Sequence, residues 1–268
     1  MLIALKLEIA PAAPAALPPY LGRAVYAAAL ARLHTLDPAL AASIHEGDGP
    51  KPLTCSSLLG APRQGPLLPE RRYAVRLTGL TPAVSQALAA AFLAEPPAQI
   101  ELDGCPFRVL AAVCDPAVDA WTGRAEYATL AARHLAQGEA PRTTTLEFAS
   151  PTTFKTAGMQ MPVPLPSLVF GSLVERWNVF SPVALSPEAR RFGAEMIAIS
   201  RYQLRSAGVP HKGEGIRIGG VGHVTYRALS GDRYWLGVMQ LLAAFALYSG
   251  VGSQTTSGMG QARQVADG

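Results

Sequence analysis

The stretch YWLGVMQLLAAFALYSGVGSQTTSGMGQARQV, Tyr234 to Val265, decides the fold class. Residues 234–248 are apolar almost throughout and long enough for a buried helix. Gly250, Gly252, Gly258 and Gly260 follow, interleaved with Ser253, Gln254, Thr255, Thr256 and Ser257, and 261–265 reads as a short strand. A helix, a glycine-rich loop and a strand in that order exclude two lookalikes. A Walker loop ends in Gly-Lys-Ser/Thr, whereas this one ends Gly258-Met259-Gly260. A dinucleotide fingerprint follows a strand and opens a helix, the reverse of the arrangement here. A plain helix-to-strand turn needs only one or two glycines. Glycine permits positive φ and close approach of a ligand to the main chain, and the hydroxyls suit phosphate oxygens. The loop therefore reads as an RNA-contacting element.

Upstream of it, the residues sort into two runs of similar order. Residues 2–9 alternate like a strand, and Pro18-Pro19 opens a helix expected to reach about His34. Asp37-Pro38 restarts a helical turn over 38–44, and 45–52, HEGDGPKP, reads as a loop. Strands are expected at 53–59 and 73–77, a helix capped by Thr81 and Pro82 over 81–94, and strands at 100–102 and 107–113. In the second half, 143–148 is a strand, 167–177 a helix, and Ser186-Pro187-Glu188 begins another to about 199. Residues 202–207 and 215–228 read as strands before the apolar helix. The order β-α-β-β-α-β, met twice, predicts an α+β protein of tandem ferredoxin-like (RRM-like) domains, with antiparallel sheets and helices on one face. We divide it as 1–118 and 119–268.

Hydrophobic residues make up 49% of the 268 and charged ones 16%, ample for two cores. No window approaches the apolar length of a membrane span, and the first residues lack a signal-peptide pattern, so a cytoplasmic protein is expected. Cys55, Cys105 and Cys114 have no CxxC spacing, which argues against disulfides or structural zinc and for buried small hydrophobes. The net charge of +4 is unevenly spread. Residues 1–118 carry nine Lys/Arg against nine Asp/Glu, while 190–263 carries nine against three. That excess suits a polyanion, and its Arg-rich make-up suits bidentate grip on phosphate. Arg201, Arg205, Lys212, Arg217, Arg227, Arg233 and Arg263 are the basic residues expected nearest the RNA, all but Arg233 taken as binding residues. Trp177, Trp235 and Tyr234 read as core, as do His134 and His223; His211 is a reserve catalytic candidate.

The ending ALYSGVGSQTTSGMGQARQV resembles the signature glycine-rich loop of the RAMP proteins, the RNA-binding proteins of CRISPR systems. YLGRAVYAAALARLHTLDPALAASIHEGDGPKPLTCSSLLG, from Tyr20, is similar to the opening of one branch, the Cas-six CRISPR repeat endoribonucleases. TTTLEFASPTTF and PVPLPSLVFGSLVERWNVF resemble the strand and helix that open its second domain. The resemblance implies cleavage of the CRISPR precursor transcript within each repeat, with no metal or other cofactor, leaving a 2′,3′-cyclic phosphate and a 5′-hydroxyl. By motif match, His45 falls on the catalytic histidine, Lys51 on the lysine of the glycine-proline-lysine turn, and Tyr26 on the catalytic tyrosine. The stretch from Tyr26 to His45 is longer than the family pattern. A histidine can move the protons of 2′-OH attack near neutrality, a lysine can neutralise the phosphorane, and a tyrosine hydroxyl can relay a proton. Repeat RNA is the implied partner, with room for CRISPR effector subunits or a homodimer. The alternative is a non-catalytic repeat-RNA-binding subunit of an effector complex.

Overall fold

The computed structural model describes residues 1–46, 49–62, 64–136, 140–210 and 215–266. Lys212 and His211 lie outside the described residues. Contacts divide the chain into two compact units. Unit 1 comprises Met1–Arg124 and, from much later in the sequence, Thr256–Gly258; unit 2 comprises Ala125–Thr255 and the described residues from Met259 on.

Unit 1 runs β1 (Leu2–Pro11), α1 (Gly22–Leu36), α2 (Pro38–His45), β2 (Leu53–Cys55), β3 (Tyr73–Gly79), α3 (Pro82–Ala89), β4 (Gln99–Leu102) and β5 (Cys105–Val113). The short β6 (Gly123–Ala125) follows, and the division falls inside it. The sheet order is β2-β3-β1-β5-β4, with every neighbouring pair antiparallel. β5-β1-β3-β2 is the ferredoxin-like order, and β4 is an added edge. Leu5, Leu7 and Ile9 of β1 are fully buried with Val25, Ala29 and Leu33, which are spaced on α1 to form one face. The helices begin where capping chemistry allows. The Asp37 carboxylate accepts from the Leu40 amide at 2.9 Å, and the Thr81 hydroxyl accepts from Val84.

Lys6 of β1 and Arg76 of β3 stand directly opposite each other in register. Two cations so placed repel. Residues 115–122 fold over them and relieve this. Asp119 takes the Lys6 ammonium at 2.6 Å, while the Arg76 guanidinium donates to the Trp121 carbonyl at 2.6 Å and lies 5.6 Å from the Trp121 ring centre. Burial alone would raise the Asp119 carboxyl. The Lys6 hydrogen bond, the Trp121 amide and the Lys6 and Arg76 charges outweigh it and hold the carboxyl low.

Unit 2 contains α4 (Tyr127–Leu135), β7 (Thr143–Thr152), the small hairpin β8 (Phe154–Thr156) and β9 (Met159–Met161), α5 (Pro166–Phe180), α6 (Glu188–Glu195), β10 (Ile197–Pro210), β11 (Ile216–Ala228), α7 (Arg233–Ser249) and β12 (Ala262–Val265). Its antiparallel sheet, β10-β11-β7-β12, repeats the ferredoxin-like order. Leu146, Phe148, Val224 and Tyr226 are buried, and Trp177 meets Tyr127 and Phe245 edge-on at 5.1 and 5.2 Å.

Several elements differ from the sequence reading. α1 starts at Gly22 rather than at Pro18-Pro19, because the Leu21 amide donates to Ser57 Oγ and Gly22 lies against the Ser257 carbonyl. β2 is only three residues long. α6 stops at Glu195, since Ile197–Ile199 pair with β11 as strand. His45 closes α2 instead of lying in a loop. Only Cys55 is fully buried; Cys105 and Cys114, at the ends of β5, are partly exposed.

Candidate functional site

His45 is the last residue of α2, exposed, with Glu46 as the C-cap. A helix end leaves carbonyls without intrahelical donors. Lys51 supplies one: its Nζ donates to the Glu46 carbonyl at 2.7 Å and to the His45 carbonyl at 3.1 Å. The glycine-proline-lysine turn therefore brings a lysine ammonium onto the main chain of the histidine. Tyr26 lies on α1, half-buried against the unit 1 core. Burial, then the neighbouring Cys55 thiol, push its phenol above the usual value, so it carries its proton at neutral pH.

The sequence reading passed over Tyr20. Its hydroxyl is buried and, among the described residues, the one buried side-chain oxygen or nitrogen without a hydrogen-bond partner. A Cβ at Gly258 would sit 3.0 Å from it. Burial, followed by the Cys55 thiol, drives the Tyr20 phenol far up. Cys55 itself donates from Sγ to the Thr256 carbonyl at 3.0 Å, and burial raises its thiol well out of the reactive range.

The glycine loop is mostly buried, and its glycines answer to packing. Gly250, Gly252, Gly258 and Gly260 all have positive φ. A Cβ at Gly252 would meet the Thr153 carbonyl at 2.4 Å, and one at Gly260 the Val251 carbonyl at 2.1 Å. Amides along the loop donate inward: Val251 to the Gly260 carbonyl, Gly252 to Ser172 Oγ, Ser253 to the Thr153 carbonyl and Gly260 to the Pro151 carbonyl. Ser253, Gln254, Thr256 and Ser257 remain partly exposed, while Thr255 is buried. Gln254 adopts φ +62, a left-handed conformation uncommon outside glycine.

At the centre of this loop is Arg176 of α5, which the sequence reading also missed. Its Nη2 donates to the Gly252 carbonyl at 2.7 Å, and its Nη1 to Thr255 Oγ1 at 3.2 Å and the Ser249 carbonyl at 3.3 Å. Charged residues read as surface in a sequence, so nothing there marked it.

The basic residues of the second sheet separate into groups. Arg201, Arg205 and Arg227 are exposed on β10 and β11, as is Arg233 at the start of α7, and Arg217 is partly buried. Arg263 of β12 instead engages Glu147 of β7 at 2.8 Å, which neutralises its charge locally. His223, expected in the core, is exposed. Val224 and Tyr226 take the buried face of β11, which turns His223 and Thr225 to the other. There His223 lines a groove of about 430 Å³ with Thr145, Arg201, Tyr202, Gln203 and Thr225. Tyr234, also expected inside, is 42% exposed, whereas Trp177 is fully buried.

The model of the family CRISPR-associated endoribonuclease Cas6 matches residues 146–262. No curated protein matches the chain. Among solved structures, a Cas6 product complex is 27% identical, with a TM-score of 0.84 over 99% of this chain and 100% of that one. A Thermus thermophilus Cas6 is 25% identical, with a TM-score of 0.75 over 99% of this chain and 98% of the other. A Cas6 carrying a histidine-to-alanine substitution is also 25% identical, with a TM-score of 0.74 over 98% of this chain and 100% of the other. The family model lies almost wholly on unit 2, and the likeness to Cas6 structures runs through both units.

Proposed function

We propose that the protein is an endoribonuclease that cuts CRISPR precursor RNA within the repeat. The observation that carries this is the Lys51 ammonium seated on the main-chain carbonyls of His45 and Glu46, which holds a cation at the exposed helix end that carries His45. In this reading the 2′-hydroxyl beside the scissile phosphate attacks phosphorus. His45 moves a proton between the reacting oxygens, Lys51 neutralises the phosphorane, and the Tyr26 hydroxyl orients or relays a proton. The products are a 2′,3′-cyclic phosphate and a 5′-hydroxyl, and no step calls for a metal ion. One similar structure holds a reaction product and another lacks a histidine by substitution, which supports the choice of histidine.

The exposed side chains of the glycine loop and Arg201, Arg205, Arg217, Arg227 and, outside the described residues, Lys212 bind the repeat; Arg263 joins them only by parting from Glu147. Residues 1–118 form the catalytic domain and 119–268 the binding domain. No helix among the described residues is long and apolar enough to cross a membrane, and we assign the protein to the cytoplasm. Effector subunits that receive the guide RNA are the protein partners this role implies.

The test is to mix the protein with the repeat RNA of its own genome in EDTA. A single cut ending in a cyclic phosphate is expected, with His45→Ala slowing it about 10²–10⁴-fold at unchanged affinity. Tight binding without any cut would replace this reading with that of a non-catalytic repeat-binding subunit.

A further inference from the structure

Arg176 is 7% exposed and, among the described residues, makes no ion pair. Glu175, next to it in the chain, is half exposed and faces Arg190 at 3.8 Å. Burial lowers the Arg176 pKa to about 10, with Glu175 pulling the other way, so the side chain is a full cation at neutral pH. Removing a charge from water without a directly paired carboxylate is costly, and a neutral amide could donate to two of the acceptors at much lower cost. The acceptors are the Ser249 carbonyl, the Gly252 carbonyl and Thr255 Oγ1. Between the second and third of these anchors stand Ser253 and Gln254, both partly exposed, with Gln254 held left-handed. The cation thus lies beneath the part of the loop that faces outward.

We propose that Arg176 is a positioning residue for RNA that acts mainly by its charge: its three hydrogen bonds order the loop, and its buried cation makes the Ser253–Gln254 rim attractive to one phosphate of the RNA backbone. This rests on the reading of the protein as a repeat-RNA binder. A buried cation, offset only in part by the half-exposed Glu175, projects its field through the thin backbone layer above it. The Ser253 and Gln254 side chains then supply hydrogen bonds in a fixed geometry, and no side-chain entropy is lost by a flexible surface cation.

The experiment compares wild type, Arg176→Gln and Arg176→Lys for affinity to repeat RNA across a salt series, with hydrogen exchange at the Val251, Ser253 and Gly260 amides. Arg176→Gln is expected to bind about tenfold more weakly at low salt, with a shallower salt dependence. Arg176→Lys keeps the charge but cannot span three acceptors, so it should bind within about threefold of wild type while its loop amides exchange faster. Arg176→Gln binding like wild type, or both variants weakened equally with an unaltered salt slope, would overturn the proposal. If Arg176→Gln does not fold, Arg176→Lys decides alone. Affinity preserved despite faster loop exchange supports the role of the charge, and affinity lost along with loop order overturns it. Wild-type protein that does not bind the RNA sinks the underlying reading as well, an outcome distinct from any seen only in the variants.

Discussion

Asp119 shows how much one carboxylate can decide. It sits between Lys6 and Arg76, which face each other across β1 and β3, and its pKa is held low by them. Asp119→Asn leaves those two cations facing each other without the carboxylate, so unit 1 should lose about 2 kcal/mol at neutral pH, read by denaturant unfolding. The sign with pH follows from the lowered folded-state value. The stabilisation is complete above the unfolded carboxyl's pKa of about 3.9 and fades as pH falls through the depressed folded value. Wild type and Asp119→Asn should therefore converge in stability at acid pH; a constant gap would refute the assignment. At this scale the sequence was informative where chemistry is local and silent where it is not. His45 and Lys51 could be picked out from their motif. Arg176 and Tyr20 could not, because their interest lies in burial, which a polar residue type does not advertise. His223 was misread because an exposed strand position and a buried one differ only by a shift of one residue.

Elements were legible to the extent that their ends carry caps. Asp37, Thr81 and Asp232 each accept an amide hydrogen bond at the start of a helix, and all three starts could be read to within a residue or two. The end of α6 could not, since FGAEMIAIS continues an apolar pattern that fits helix and strand alike. The start of α1 was misjudged for a tertiary reason: Gly22 packs so tightly on the Ser257 carbonyl that a Cβ there would stand only 1.9 Å from it. Alanine is normally the better helix former. Here Gly22→Ala should destabilise by about 2 kcal/mol or more, because a backbone oxygen must move. Gly260→Ala, at φ +70 and with its Cβ placed 2.1 Å from the Val251 carbonyl, should do the same. Thermal melting of the two variants checks both, and an unchanged or raised Tm for Gly22→Ala would contradict the packing described.

For the whole molecule, the doubled β-α-β-β-α-β order was readable because each run has its own strand and helix periodicities, and the observed sheet orders match it. The charge excess was readable too, though not its internal pairing. Arg205 and Arg227 are exposed, while Arg263 is held by Glu147. Replacing Arg205 or Arg227 by alanine should flatten the salt dependence of RNA affinity by about one unit each, with cleavage of bound RNA unimpaired. Arg263→Ala should change the slope less, since a neutralised arginine releases fewer counterions. Equal slopes for all three would mean that the Glu147 pair opens on binding.

Unit 1 counts among its residues Thr256–Gly258, which follow every helix of unit 2 in the sequence. On the ribosome, the first sheet is made early and must wait with Gly22 and Cys55 uncovered until nearly the whole chain has emerged. The half assigned the cutting chemistry is thus finished only when the loop assigned the holding is in place, so synthesis itself keeps a partly made chain from being a partly competent one.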